Sequence, residues 1–204
     1  MITVSRREGL FLLAVLVVAL VWSAIGAKSL GTWVLEVVWI FIGAPLVLLY
    51  RRRFPLSRLV CWLLVSHAIV LCYGGHYTYA ETPLGDWFRE QFDLDRNHYD
   101  RFAHFVQGFV PAILVRELLL RLTPLRRGGW TFTLTCAVCL SIAACFEFVE
   151  WVSALILGAG ADEFLATQGD VWDTQWDMFL CLCGAVVAQL VLRRVHDRQL
   201  TSVP

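Results

Sequence analysis

Residues 9–25 read GLFLLAVLVVALVWSAI, a stretch of about 17 residues without an ionisable side chain, close to the roughly 20 that a helix needs to cross a bilayer core about 30 Å thick. A second such run, residues 33–50, follows with Pro45 inside it. Working outward from these two, residues 59–80, 99–120, 130–155 and 178–195 qualify as further spans, the one at 99–120 being more amphipathic than the rest. Period-2 alternation of polar and apolar residues is absent, which argues against a β-barrel. With 204 residues of which 58% are hydrophobic, the chain is too apolar for an ordinary soluble domain. It reads as all-α, a polytopic membrane helix bundle of about six transmembrane helices forming one integral membrane domain over residues 1–204. No repeat, low-complexity tract or linker divides it.

Charge fixes an expected orientation, because Lys and Arg beside a span tend to stay in the cytoplasm. Arg6, Arg7, Arg51, Arg52, Arg53, Arg58, Arg121, Arg126, Arg127, Arg193, Arg194 and Arg198 fall on one side, and only Lys28, Arg89, Arg96 and Arg101 on the other. Both termini are therefore expected in the cytoplasm, as an even number of spans requires. The basic residues before the first span and the small ones after it imitate a signal peptide. Its apolar run is longer than an ordinary signal core, and the first span is kept. Formal net charge is zero, and nothing in the chain suggests nucleic acid as a partner.

All seven cysteines lie within spans, so no disulfide framework is implied. Cys136 and Cys139 have C-x-x-C spacing, read here as small apolar packing residues on a buried helix. Trp33, Trp130 and Trp151 near span ends suit an aromatic belt, and His67 in mid-span suits a core histidine. Two outer loops are longer than the rest. Residues 81–97 alternate carboxylates with Trp87, Phe88 and Phe92, a pattern for a short helix on the membrane surface. Residues 158–175 hold Asp162, Glu163, Asp170 and Asp173 among glycines and tryptophans.

The candidate chemistry gathers at the outer ends. The fourth span opens as His98-Tyr99-Asp100-Arg101-Phe102-Ala103-His104-Phe105, placing Asp100, His104, Gln107 and Pro111 on one helical stripe. The fifth closes with Phe146-Glu147-Phe148-Val149-Glu150-Trp151. Glu147 and Glu150 share a face there, and Glu147 lies too deep in the apolar run to be a solvated end residue. Before the sixth, Gln168-Gly169-Asp170-Val171-Trp172-Asp173-Thr174-Gln175-Trp176-Asp177-Met178 repeats aspartate at three and four residues. A helix starting near Asp170 would align Asp170, Asp173 and Asp177, like charges that repel unless a cation sits among them. Below them Cys181, Gly184 and Ala188 continue a stripe of small residues suited to close helix packing. Glu36, His76, Tyr77 and Tyr79 add to the same face.

These three segments, His-Tyr-Asp-Arg-x-x-His-Phe, Glu-x-x-Glu-Trp and Gln-Gly-Asp-x-Trp-Asp-x-Gln-x-Asp-Met, resemble those of the YjdF-like family of bacterial inner-membrane proteins, over nearly the whole chain. A looser likeness to VanZ-like membrane proteins rests on the Asp/His-Phe pattern. The YjdF-like resemblance implies a small multi-pass protein of the bacterial cytoplasmic (inner) membrane and supplies no catalytic assignment.

From the residues themselves, the leading expectation is an outward-facing site in which His104, Glu147, Glu150, Asp173 and Asp177 hold a divalent metal (Zn, Mn, Fe or Mg, in preference to copper). Asp100 and Asp170 would serve as acid/base or neighbouring groups, and a metal-activated water would suit a hydrolase or transferase acting on a lipid or envelope small-molecule substrate. A cation or proton-coupled transporter would use the same groups but needs a polar path inward, for which only Gln107, Gln189, His67, Arg116 and Glu117 are available. A non-catalytic scaffold or binding protein would use the cluster only to lock helices together. The sequence does not fix the oligomeric state.

Overall fold

The computed structural model describes residues 1–157 and 167–201. Seven helices cover most of them: α1 (Arg6–Ala24), α2 (Leu30–Tyr50), α3 (Arg58–Tyr77), α4 (Pro83–Phe92), α5 (Tyr99–Leu122), α6 (Gly129–Leu157) and α7 (Asp173–Gln199). Among the described residues there is no strand. Asp162 and Glu163 lie outside the described residues.

Serine and threonine set the starts. Ser5 accepts from the Glu8 amide while Glu8 accepts from the Ser5 amide, a reciprocal capping box at the head of α1. Ser29, Ser57 and Thr82 cap α2, α3 and α4 in the same way with one side-chain acceptor each. Helix α3 stops at Thr78 and Tyr79, both in the left-handed region at φ 59° and 55°, so it is shorter than the apolar run at 59–80 suggested. Pro45 and Pro111 lie inside α2 and α5 without ending them, as neighbouring helices permit in a membrane bundle.

Helices α1, α2, α3, α6 and α7 are long and apolar enough to cross a bilayer. Their outward faces carry lipid-suited side chains such as Val18, Leu49, Phe148 and Leu155, all exposed. Helix α5 is different. Its 24 residues rise about 36 Å at 1.5 Å each, enough to span, yet it carries Asp100, Arg101, Arg116, Glu117 and Arg121. It tolerates them because it is sheathed: α5 packs most extensively on α7, and also on α6 and α3. Helices α1 and α2 pack on α3.

The helices alternate in direction. At one end the Ile2 amide donates to the Gln199 carbonyl and the Arg58 amide to the Ile2 carbonyl, joining the starts of α1 and α3 to the end of α7. At the other the Lys28 amide donates to the His76 carbonyl and Lys28 pairs with Glu81, joining the α1–α2 turn to the end of α3. The first end is rich in arginine, the second in carboxylates. Helix α4, the surface helix anticipated within 81–97, lies beside the acidic end with Trp87, Phe88 and Phe92 exposed.

Glycine sets how closely the central pair approaches. A Cβ built on Gly108 would stand 1.8 Å from the Cys181 carbonyl oxygen, and one on Gly184 would stand 2.0 Å from that of Phe105. The α5 and α7 backbones are therefore in direct contact, the reciprocal small-residue packing familiar in membranes. That contact holds the acidic ends of the two helices together. All seven cysteines are unpaired, with Cys136 and Cys139 buried in the core as expected.

Three minor expectations change. Trp33 is buried and donates to Ser23 Oγ at 3.0 Å, so it is a core residue and not part of a belt. His76 packs on Trp22 and its Nδ1 lies 3.0 Å from the Ser23 carbonyl, so it fastens α3 to α1. His67 Nε2 has no hydrogen-bond partner.

A buried carboxylate and histidine cluster at the acidic end

Asp100 and His104 stand one turn apart on α5, and Asp177 stands opposite them one turn into α7. His104 Nε2 is 3.7 Å from Asp100 Oδ1 and 4.0 Å from Asp177 Oδ2. One ligand atom from each of the three residues fits within 4.8 Å of the others. These separations are too long for hydrogen bonds and somewhat wider than the roughly 3.0–3.4 Å between donors sharing a metal at about 2.1 Å. The three side chains would have to draw together by about 1–2 Å to close the triangle on an ion.

All three side chains are buried, as is Glu147 from α6. Glu147 lies beside Thr174 and within electrostatic reach of Asp100 and Asp173. Glu150, one turn on, interacts with Glu147, Asp100, Glu36 and Asp177. Glu36 enters from α2, buried, with the Tyr79 hydroxyl beside it. Four helices, α2, α5, α6 and α7, thus send carboxylates to one region. Within it His104 Nδ1, Glu147 Oε1 and Asp177 Oδ1 are buried with no hydrogen-bond partner, although leaving such a group unpaired costs about 1–3 kcal/mol.

Asp170 and Asp173 have other partners. Asp173 takes Arg96 Nη1 at 2.7 Å, and Asp170 takes Arg101 together with Arg96, the latter at 3.4 Å. Asp170 is not part of α7. Gln168 and Gly169 turn the chain at φ 49° and 84°, and Asp170 Oδ1 accepts from the Trp172 amide at 2.9 Å, so the helix begins at Asp173. The three-aspartate stripe read from the sequence is accordingly divided: two aspartates meet arginine, and Asp177 faces the histidine. Arg96 and Arg101 had been counted only as exceptions on the outer side; in the fold they are the cations of the aspartate motif.

A second network fixes the chain before each of the two helices. The Asn97 amide donates to Gln168 Oε1 at 3.0 Å and Gln168 Nε2 donates back to the Asn97 carbonyl at 2.9 Å. Fully buried Asn97 also accepts from Thr82 Oγ1 and the Tyr99 amide, and donates to the Thr82 carbonyl and Asp86. Gly85 is required beneath it, since a Cβ there would lie 1.8 Å from Asn97 Oδ1. Neither amide stood out in the sequence, because an amide clamp has no periodicity to betray it.

Beside the cluster, His98, Arg101, Phe102, Phe105, Trp176 and Leu180 line an apolar cavity of about 430 Å³. Its α5 residues lie on the stripe next to Asp100 and His104. Arg101 sits over the Trp176 ring, 5.2 Å from its centroid. Burial and the guanidiniums of Arg101 and Arg96 hold the His98 imidazole below its usual range.

At the arginine-rich end, Glu117 and His196 form a closed network. Arg116 Nη1 lies 2.9 Å from His196 Nδ1, and since a guanidinium only donates, Nδ1 must be the accepting nitrogen. His196 Nε2 then faces Glu117 Oε2 at 3.1 Å as the donor. Glu117 also accepts from Arg121 at 2.6 Å and from the Ser57 amide at 3.0 Å. Gln189, above this network, donates to the Phe132 and Ala185 carbonyls and to Cys136 Sγ. Of the polar residues read as a possible inward path, Gln189, Arg116 and Glu117 are thus each engaged by fixed local partners.

Comparison with known proteins agrees with the membrane fold. No solved structure matches the chain. The chain is 45% identical over 185 residues, 91% of its length and 88% of the relative's, to the inner membrane protein YjdF of Escherichia coli (strain K12). This is a multi-pass membrane protein with an inner-membrane relative, and over residues 9–198 it belongs to the family described as predicted membrane protein (DUF2238).

Proposed function

We propose that Asp100, His104 and Asp177 bind a divalent metal, with Glu147 and Glu150 completing its surroundings, and that the protein is a metal-dependent hydrolase or transferase acting on a lipid or envelope substrate at the outer face. The reading rests on one observation: three buried polar atoms from three helices, His104 Nδ1, Glu147 Oε1 and Asp177 Oδ1, lack partners in a single cluster. Carboxylates with one imidazole suit Zn, Mn, Fe or Mg. A divalent metal in such a site would activate a water for hydrolysis at neutral pH.

Asp100 takes a ligand's place in this reading. Asp173 and Asp170 support the site by holding Arg96 and Arg101, and Arg101 at the mouth of the apolar cavity offers a charged contact to an amphiphile lying along Phe102, Phe105 and Leu180. Orientation with both termini in the cytoplasm and six crossings, α5 included, belongs to the same proposal. It is supported by the antiparallel packing and the gathering of arginines at one end. The transporter reading is disfavoured because Glu117 and His196 are closed in one network and Gln189 is held by the Phe132 and Ala185 carbonyls and Cys136, all beneath the cluster.

The test is the metal content of the full chain purified in detergent, followed by turnover of lipid substrates with the metal-loaded protein. About one equivalent of metal, lost in His104→Ala and Asp177→Asn, together with metal-dependent turnover, is the expected result. Stoichiometric metal without turnover but with cation flux into liposomes would reject the enzyme reading. Absence of metal would reject the site.

A further inference from the structure

A cavity lies at the opposite end from the carboxylates. It has a volume of about 520 Å³ between α5, α6 and α7, and its walls include Arg116, Arg127, Arg193, Arg194, Gly128 and Gly129. Asp197 is the one carboxylate lining it, and it is already shared by Arg116 at 2.7 Å and Arg127 at 3.0 Å. Arg193 and Arg194 are exposed and enter no ion pair among the described residues. Four guanidiniums against one carboxylate leave the walls strongly cationic, in a chain whose formal charge is zero.

A second source of positive potential is independent of these side chains. Helix α6, 29 residues long, begins at this wall. Its Phe132 amide donates to the Gly128 carbonyl, so the amides of Gly129, Trp130 and Thr131 precede the ladder and, as at any helix start, have no carbonyl of their own helix to donate to. A Cβ at Gly128 or Gly129 would meet nothing within 4 Å. The start of α6 is thus open to a ligand and carries the positive end of the helix dipole.

We infer that this cavity binds a phosphate-bearing anion, seated between the α6 amides and Arg127, Arg193 and Arg194. Guanidinium forks match phosphate oxygens two at a time, and basic clefts between spanning helices are suited to anionic headgroups. The phosphate can come from an anionic phospholipid of the surrounding leaflet or from a soluble phosphate compound. The inference does not depend on the cluster at the other end.

Native mass spectrometry of the full chain in neutral detergent, titrated with phosphatidylglycerol and with phosphatidylcholine, tests the lipid source; melting with inorganic phosphate against chloride tests the soluble one. Retention of phosphatidylglycerol over phosphatidylcholine by about tenfold or more, lost in Arg193→Gln/Arg194→Gln, supports the site and assigns the lipid. A phosphate-specific rise in melting temperature lost in that variant supports the site and assigns a soluble ligand. Gly129→Asp, which places a carboxylate in open space at a helix start, should remove binding while keeping the fold. Arg51→Gln/Arg52→Gln, outside the cavity, should leave binding unchanged. Neither form of binding in wild type, or unchanged binding in both cavity variants, would overturn the inference, as would equal loss in the Arg51/Arg52 variant.

Discussion

At the residue scale, the decisive contrast is between carboxylates with a cation and those without. Asp170 and Asp173 are neutralised by Arg101 and Arg96, whereas Glu147 Oε1 and Asp177 Oδ1 are left unpaired. Glu147→Gln keeps the shape and removes a charge. If the cluster holds an ion, metal content should fall by about tenfold, roughly 1.4 kcal/mol of affinity, while the protein still assembles. A melt unchanged by chelator in both proteins would instead favour the scaffold reading. Asp173→Asn is expected to behave differently, leaving Arg96 with less compensation and lowering stability by about 1–3 kcal/mol without removing metal. Paired melting curves and metal assays separate these two outcomes. The Asp100 and His104 pairing was visible in the sequence because both lie on one helix at a fixed period. The partnership of Arg96 with Asp173 was not, because 77 residues separate them and no local pattern links residues so far apart.

At the element scale, α5 and α7 form a unit whose approach distance is set by Gly108 and Gly184. Either glycine replaced by alanine would drive a methyl into the facing backbone, and overpacking of this kind costs about 1–3 kcal/mol. Gly108→Ala and Gly184→Ala should therefore lower the melting temperature and weaken metal binding together, although neither residue belongs to the cluster. Retained metal affinity in a destabilised Gly184→Ala protein would show that the site does not depend on this packing. The stripe Cys181, Gly184 and Ala188 was legible as a contact surface; its partner Gly108 was not, since a stripe on one helix does not specify the face it meets. The aspartate spacing allowed a helix from near Asp170, ahead of the span at 178–195, whereas the Asp170 side chain closes a turn onto the Trp172 amide and α7 starts at Asp173.

At the scale of the whole molecule, the two ends are built on opposite principles. At the arginine-rich end the buried network around Glu117 is saturated, with Glu117 fully buried and accepting from His196, Arg121 and Ser57. Removing one partner of a buried ionic network costs about 3–5 kcal/mol, so Glu117→Ala should destabilise the protein strongly, as read from a melt in detergent. The acidic end is left incomplete. Apolar run length made the membrane class and most helices legible, and the charge asymmetry marked the two ends. Residues 99–120 read as the weakest span because the polar residues of α5 face other helices, a fact of packing that composition cannot express. The proposed orientation, with both termini in the cytoplasm, predicts that Asp93→Cys beside α4 reacts with an impermeant thiol reagent in intact spheroplasts while Arg126→Cys does not. The reverse pattern would invert the orientation.

The central claim is that Asp100, His104 and Asp177 share one metal ion, and anomalous diffraction from crystals of the full chain grown with Mn or Zn locates such an ion directly. The account predicts a single strong peak bonded to donor atoms of all three residues, at roughly 2.0–2.2 Å, and its disappearance in His104→Ala. A map with no peak among these side chains, from protein that also purifies without stoichiometric metal, would contradict it.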